Sequence, residues 1–178
     1  MMLRQRGQNI LKVLHLLAAC IWVGACFCLL ALWFYGPVPQ SGEELFGLLK
    51  AHNFLAFVVA GNVGACGTFF TGLAYSLCTN RGFFRHTWLA LKWIITLASI
   101  LFGYFGFAPL STELLEQVLR LGLHAPGEPA YQALAAKYEL LAVTQAVLLL
   151  LAVVLSVYKP WEKKELPRAA GRRKRSGH

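Results

Sequence analysis

His15 and Lys92 are the residues best suited by type and position to do chemistry, because each is ionisable and each falls inside an otherwise apolar run. If their helices begin near Ile10 and Thr87, both lie about five residues in, or ~7–8 Å deep at ~1.5 Å per residue. Ionisable groups within membrane spans cost about 2.5 kcal/mol or more at the helix centre and tend to mark sites or pathways. An imidazole at such a depth is the commonest protein ligand for haem iron or a soft metal ion. Two bland readings stand beside this one. Lys92 can snorkel to the surface along its four-carbon stem, and His15 can sit as a neutral ring donating to a helical carbonyl.

The remaining candidates are less pointed. His52 begins the second apolar run and His124 lies in the following outer loop, so solvation is expected for both, although together they could form an outer site. His86 flanks the third run beside Arg81 and Arg85 and reads as a topology signal. Cys20, Cys26, Cys28, Cys66 and Cys78 all fall in or at the end of apolar runs and read as small buried hydrophobes rather than a disulfide framework. There is no Cys-x-x-Cys pair, no Gly-rich phosphate loop and, with no Asp in the chain, no Ser/His/Asp set. Hydrolysis is not the chemistry these residues offer.

These side chains must be carried by helices in a bilayer. Of 178 residues, 57% are hydrophobic and only 14% charged, against roughly a quarter charged in a soluble domain. Four uncharged runs, Val13 to Ser41, Ala51 to Asn80, Trp93 to Thr112 and Leu140 to Tyr158, each supply the ~20 residues that cross ~30 Å of hydrocarbon. The expected fold is all-α, a four-transmembrane-helix bundle with spans near 10–35, 51–78, 87–110 and 138–159 forming one domain over 1–161, followed by a basic, disordered tail over 162–178. The first run also resembles a signal peptide with a lipoprotein box at Leu17-Ala18-Ala19-Cys20, but it continues to Tyr35, which favours a retained helix.

Charge sets the expected orientation. The chain carries 17 Lys and Arg against 8 acids, all Glu, for a net +9, and eight of the 17 lie between Lys159 and Arg175. A basic tail beside an apolar span reads as attraction to anionic lipid headgroups, not to nucleic acid. The N-terminus, second loop and tail hold most of the positive charge, so both termini are expected in the cytoplasm. The outer loops hold possible short amphipathic helices, one over Glu43 to Lys50 leading into helix two and one capped by Ser111 or Thr112 and ending near Gly122. Helix four can start at Pro129 or Ala130.

Two helix faces are patterned for burial. Helix two carries Ala60, Gly64, Thr68 and Gly72 at four-residue spacing, which permits close helix approach. Helix three carries Lys92, Thr96, Ser99, Gly103 and Gly106 on one stripe, helix one aligns His15, Ala19, Trp22 and Cys26, and helix four offers Gln145. Asn62 is the strongly polar residue in the middle of helix two.

Leu14-His15-Leu16-Leu17-Ala18-Ala19 with Ile21-Trp22-Val23-Gly24 resembles the first-helix signature shared by the copper-resistance D family and HemJ-type protoporphyrinogen oxidases. Thr71-Gly72-Leu73 ahead of Trp88-Leu89-Ala90-Leu91-Lys92 is similar to their Thr-Gly and helix-three lysine, and the likeness covers roughly residues 10 to 110. It implies a bacterial inner-membrane protein with a b-type haem, His15 as axial ligand and Lys92 as its partner. Where HemJ proteins carry Tyr-Leu-Pro-Arg this chain reads Phe-Cys-Leu-Leu-Ala over Phe27 to Ala31, and Ala90 replaces a family histidine. The resemblance thus implies a cofactor site without specifying an enzymatic reaction.

Three functions follow as expectations. In the first, haem b or a related redox cofactor sits between helices one and three, ligated by His15, paired with Lys92 and lined by Trp22, Thr96 and Ser99. In the second, His15, Cys26 and Cys66 handle copper. In the third, the polar interior serves packing alone in an accessory protein. A homo-oligomer or a redox partner is compatible with any of them.

Overall fold

The computed structural model describes residues 5–78 and 87–158, and these are helical with no strand among them. The helices are α1 (Gln5–Tyr35), α2 (Gly42–Phe54), α3 (Gly67–Cys78), α4 (Thr87–Leu101), α5 (Ala108–Leu121) and α6 (Pro129–Tyr158). A π-helical stretch, Leu55–Cys66, joins α2 to α3, and another, Phe102–Phe107, joins α4 to α5. The result is four rods long and apolar enough to cross a membrane: Gln5–Tyr35, Gly42–Cys78, Trp88–Gly127 and Pro129–Tyr158. The protein is an all-α, multi-pass membrane bundle. The loop with Arg81, Arg85 and His86 and the basic tail with Trp161 lie outside the described residues.

The amphipathic segments expected in the loops are not separate helices. Ser41 caps α2 by accepting from the Glu44 backbone N–H at 3.1 Å, and the Glu44 carboxylate accepts from the Gln40 N–H at 2.7 Å. From there the helix runs unbroken into the second span. Ser111 and Thr112 do not cap; both hydroxyls donate to the Ala108 carbonyl inside a helix that already continues from α4. Pro109 explains the change of winding just before it. With no N–H to donate and a ring that crowds the carbonyl four residues back, it disrupts ordinary α-pairing where the π stretch occurs. The helix stops at Gly122, whose φ of 56° suits glycine, and a Cβ on Gly42 would lie 2.9 Å from Gly122 Cα.

The second span has 37 residues, about 55 Å at ~1.5 Å per residue, well beyond the ~30 Å of hydrocarbon. The excess builds a head in which α2, α5 and the start of α6 pack around Leu45, Leu49, Leu114, Val118, Tyr131 and Tyr138. Because Ser41 starts this head, Ser41→Ala is expected to lower stability by about 1 kcal/mol, the usual value of an N-cap. Thermal unfolding in detergent micelles checks this, with Ser41→Asn expected to restore the loss.

Within the bundle, α1 runs antiparallel to the second span at the close distance that its small residues allow. A Cβ on Gly64 would fall 2.7–2.9 Å from the Trp22 backbone and Cβ, one on Gly67 3.1 Å from Ala18, and one on Gly72 3.2 Å from the His15 ring. This line of contact pinches the interior and leaves a cavity on either side. The cysteines are all free, and Cys20 and Cys28 point outward from α1 rather than being buried, because they lie off the face that meets Gly64.

Candidate functional site

The first cavity, about 270 Å³, lies toward the end of the bundle that holds the N-terminus. His15 from α1, Gly72 and Tyr75 from α3, and Lys92 and Thr96 from α4 line it, with Phe69, Trp88 and Trp93 as aromatic walls. Lys12 is exposed at its rim and places its ammonium 6.0 Å from the centre of the Tyr75 ring. The imidazole and the ammonium thus share one cavity, because α1 and α4 both begin at that end of the bundle.

Hydrogen bonding selects the tautomer of His15. Thr71 Oγ1 lies 2.6 Å from the Gly67 carbonyl and 3.2 Å from that of Thr68. A carbonyl only accepts, so the single Thr71 hydroxyl hydrogen points there. His15 Nδ1, 3.0 Å from the same oxygen, must therefore be the donor. In the neutral ring this leaves Nε2 as the lone-pair nitrogen. The arrangement is that of a metal-ligating or proton-accepting histidine held by an outer partner. Gly72 completes it, since the absence of a side chain there makes room for Cε1.

Trp22 and Ser99 lie elsewhere. Each sits seven positions along its helix from His15 or Lys92, about 10 Å deeper at ~1.5 Å per residue, and both line a second cavity beyond the Trp22–Gly64 pinch. Cys26 and Cys66 also line that second cavity, apart from His15. The proposed copper ligands are therefore split between two chambers, and no group of three His, Cys, Asp or Glu that could hold a metal occurs among the described residues.

The second cavity, about 280 Å³, lies toward the head. One ring from each span gathers at its outer end: Trp33, His52, Phe107 and Tyr138. Trp33 stacks on Tyr138 with centres 5.0 Å apart, while His52 and Phe107 meet Tyr138 edge-on. His52, expected to be solvated, is only 6% exposed, and its Nδ1 lies 3.4 Å from the Tyr138 hydroxyl. Burial comes from the head helices, which extend past it. His124 is exposed on the short 3₁₀ turn Gly122–Gly127, and the two do not pair. Aromatic residues at span ends ordinarily signal the membrane interface, so the available sequence signal for this inward cluster was ambiguous.

Trp33 Nε1 donates to Glu139 Oε1 at 2.9 Å, tying α1 to α6. Bonds to charged acceptors contribute about 1.5–3 kcal/mol. With Glu139 part-exposed, Trp33→Phe is expected to lose roughly the lower value in denaturant titration, and Glu139→Gln less. Comparison with protein-family models, curated proteins and solved structures finds no match for this chain.

Proposed function

We propose that this membrane protein holds a haem-type, carboxylate-bearing redox cofactor at the His15–Lys92 cavity. The observation carrying this reading is the Thr71 hydrogen bond that makes His15 Nε2 the free nitrogen in a chamber also lined by a lysine. His15 would supply one axial ligand, Lys92 would pair with a propionate, and Trp88 and Trp93 would flank the ring. Such a group supplies one-electron chemistry when bound. The donor set fits one imidazole ligand and one carboxylate partner. A volume of about 270 Å³ lies below the ~300–1,000 Å³ of typical ligand pockets, so a porphyrin would be only partly enclosed. Thr96 lines this site; Trp22 and Ser99 do not belong to it.

The same reading places the protein in a bacterial inner membrane with both termini in the cytoplasm, the basic tail drawn to anionic headgroups, and a redox partner or second copy receiving electrons. The test is the absorption spectrum of protein purified from a haem-sufficient host, with a pyridine haemochrome assay for stoichiometry. A Soret band near one haem per chain is expected, and colourless protein would reject the proposal. A packing role has one observation in its favour, the fit of the His15 ring against Gly72. It predicts that replacing His15 and Lys92 together by Leu and Met preserves both fold and phenotype.

A further inference from the structure

The head-side cavity is independent of that cofactor reading and has a chemistry of its own. No Asp, Glu, Lys or Arg lines it among the described residues, so a charged ligand would enter unpaired. Its walls are mostly apolar, yet three deeply buried polar atoms on residues that line it lack a hydrogen-bond partner: Ser99 Oγ, Gln145 Oε1 and His52 Nε2. Their residues are 2%, 6% and 6% exposed. Buried polar groups are nearly always satisfied, and an unsatisfied set on residues that line one chamber points to an occupant that completes it.

The surroundings indicate where an occupant would enter. Asn62 and Tyr104 line the chamber and are also exposed on the flank of the bundle. Gly61 and Gly103 stand beside them, and a Cβ on Gly103 would meet nothing within 4 Å. The second and third spans therefore leave a side opening on the flank of the apolar rods. Both π-helical stretches of the described residues, Leu55–Cys66 and Phe102–Phe107, border this opening. π-turns occur often at functional sites because they displace backbone and side chains from α-helical register.

The donor and acceptor pattern narrows the ligand class. Gln145 Oε1 can only accept, and the Ser99 hydroxyl can donate. One group that both donates and accepts satisfies the two together, and a hydroxyl is such a group, whereas a carbonyl would leave Gln145 unmet. We propose that the head-side cavity binds a neutral, lipid-soluble alcohol or phenol that enters from the bilayer between the second and third spans. Its hydroxyl donates to Gln145 Oε1 and accepts from Ser99, and its apolar body lies along Ala60, Ile100 and Phe107. His52 Nε2 remains for a second polar atom of a longer ligand.

Trp22 and Trp33 line the cavity and report on occupancy. The full chain in detergent micelles is titrated with 12-bromododecan-1-ol, whose bromine quenches indole fluorescence, and in parallel with 1-bromododecane and 12-bromododecanoate. Saturable quenching by the alcohol is expected, with both controls markedly weaker. The double variant Ser99→Ala/Gln145→Leu should raise the half-saturating alcohol concentration about tenfold, as expected for lost hydrogen bonds. Gly103→Leu, which adds a side chain in open space, should narrow the entrance and slow or weaken binding even if the double variant fails to fold. Linear, partition-like quenching that is equal for all three probes, or binding unchanged in both variants, would mean that the chamber holds water alone and would overturn the proposal.

Discussion

On the cofactor reading proposed above, His15→Ala is expected to remove the haem absorption band completely, while the protein still folds and elutes as the parent does. The basis is that, among the described residues, His15 is the sole imidazole lining its cavity, and no Cys, Asp or Glu lines it to replace the ligand. Thr71→Val leaves the imidazole in place but deletes the acceptor that orients Nδ1–H at 3.0 Å. Loss of such an outer partner typically costs 10–100-fold in affinity, so a weaker and partly filled band is expected on haem titration. Gly72→Val should do comparable damage by a different route. Even a Cβ there would lie 3.2 Å from His15 Cε1, and the added methyls would push the ring aside. Lys92→Met should keep the band with looser binding, because it removes only the carboxylate partner. A band that survives His15→Ala would relocate or eliminate the cofactor site.

Gly64→Val is expected to be the most damaging single change to the fold. The added Cβ alone would lie 2.7–2.9 Å from Trp22 backbone atoms and its Cβ, and none of these is the flexible end of a side chain. Overpacking a well-filled interior costs about 1–3 kcal/mol and occasionally more. Here relief requires moving whole helices apart, which also opens the Ala18–Gly67 and His15–Gly72 contacts. The upper end of that range or beyond is expected, seen as a large fall in unfolding temperature and aggregation during extraction. Gly24→Ala is the matched control on α1, with nothing within 4 Å of the new Cβ. It should be neutral, or stabilising by up to about 0.5–1 kcal/mol through helix propensity. If the two variants behaved alike, the Trp22–Gly64 approach would not be what holds the first two spans together.

The chain by itself determined the four apolar helices, the Gly64 and Gly72 face turned toward a neighbour, and the stripe from Lys92 to Gly106 turned inward. These follow from sequence because lipid partitioning and the helical repeat act residue by residue along one segment. The stop at Gly122 was legible for the same local reason, whereas the cap at Ser41 was not anticipated, nor was the continuous helix through Pro109, since its π winding depends on surroundings. Only the tertiary structure decided which inward residues share a chamber. Trp22 and Ser99 lie on the same faces as His15 and Lys92, yet contact between α1 and the second span at Gly64 divides the interior and separates them. Likewise His52, at a span end where water was expected, is enclosed by Trp33 and Tyr138 from two other spans. Depth along a helix can be counted from residue number, but the partition of space between helices depends on contacts among segments distant in sequence.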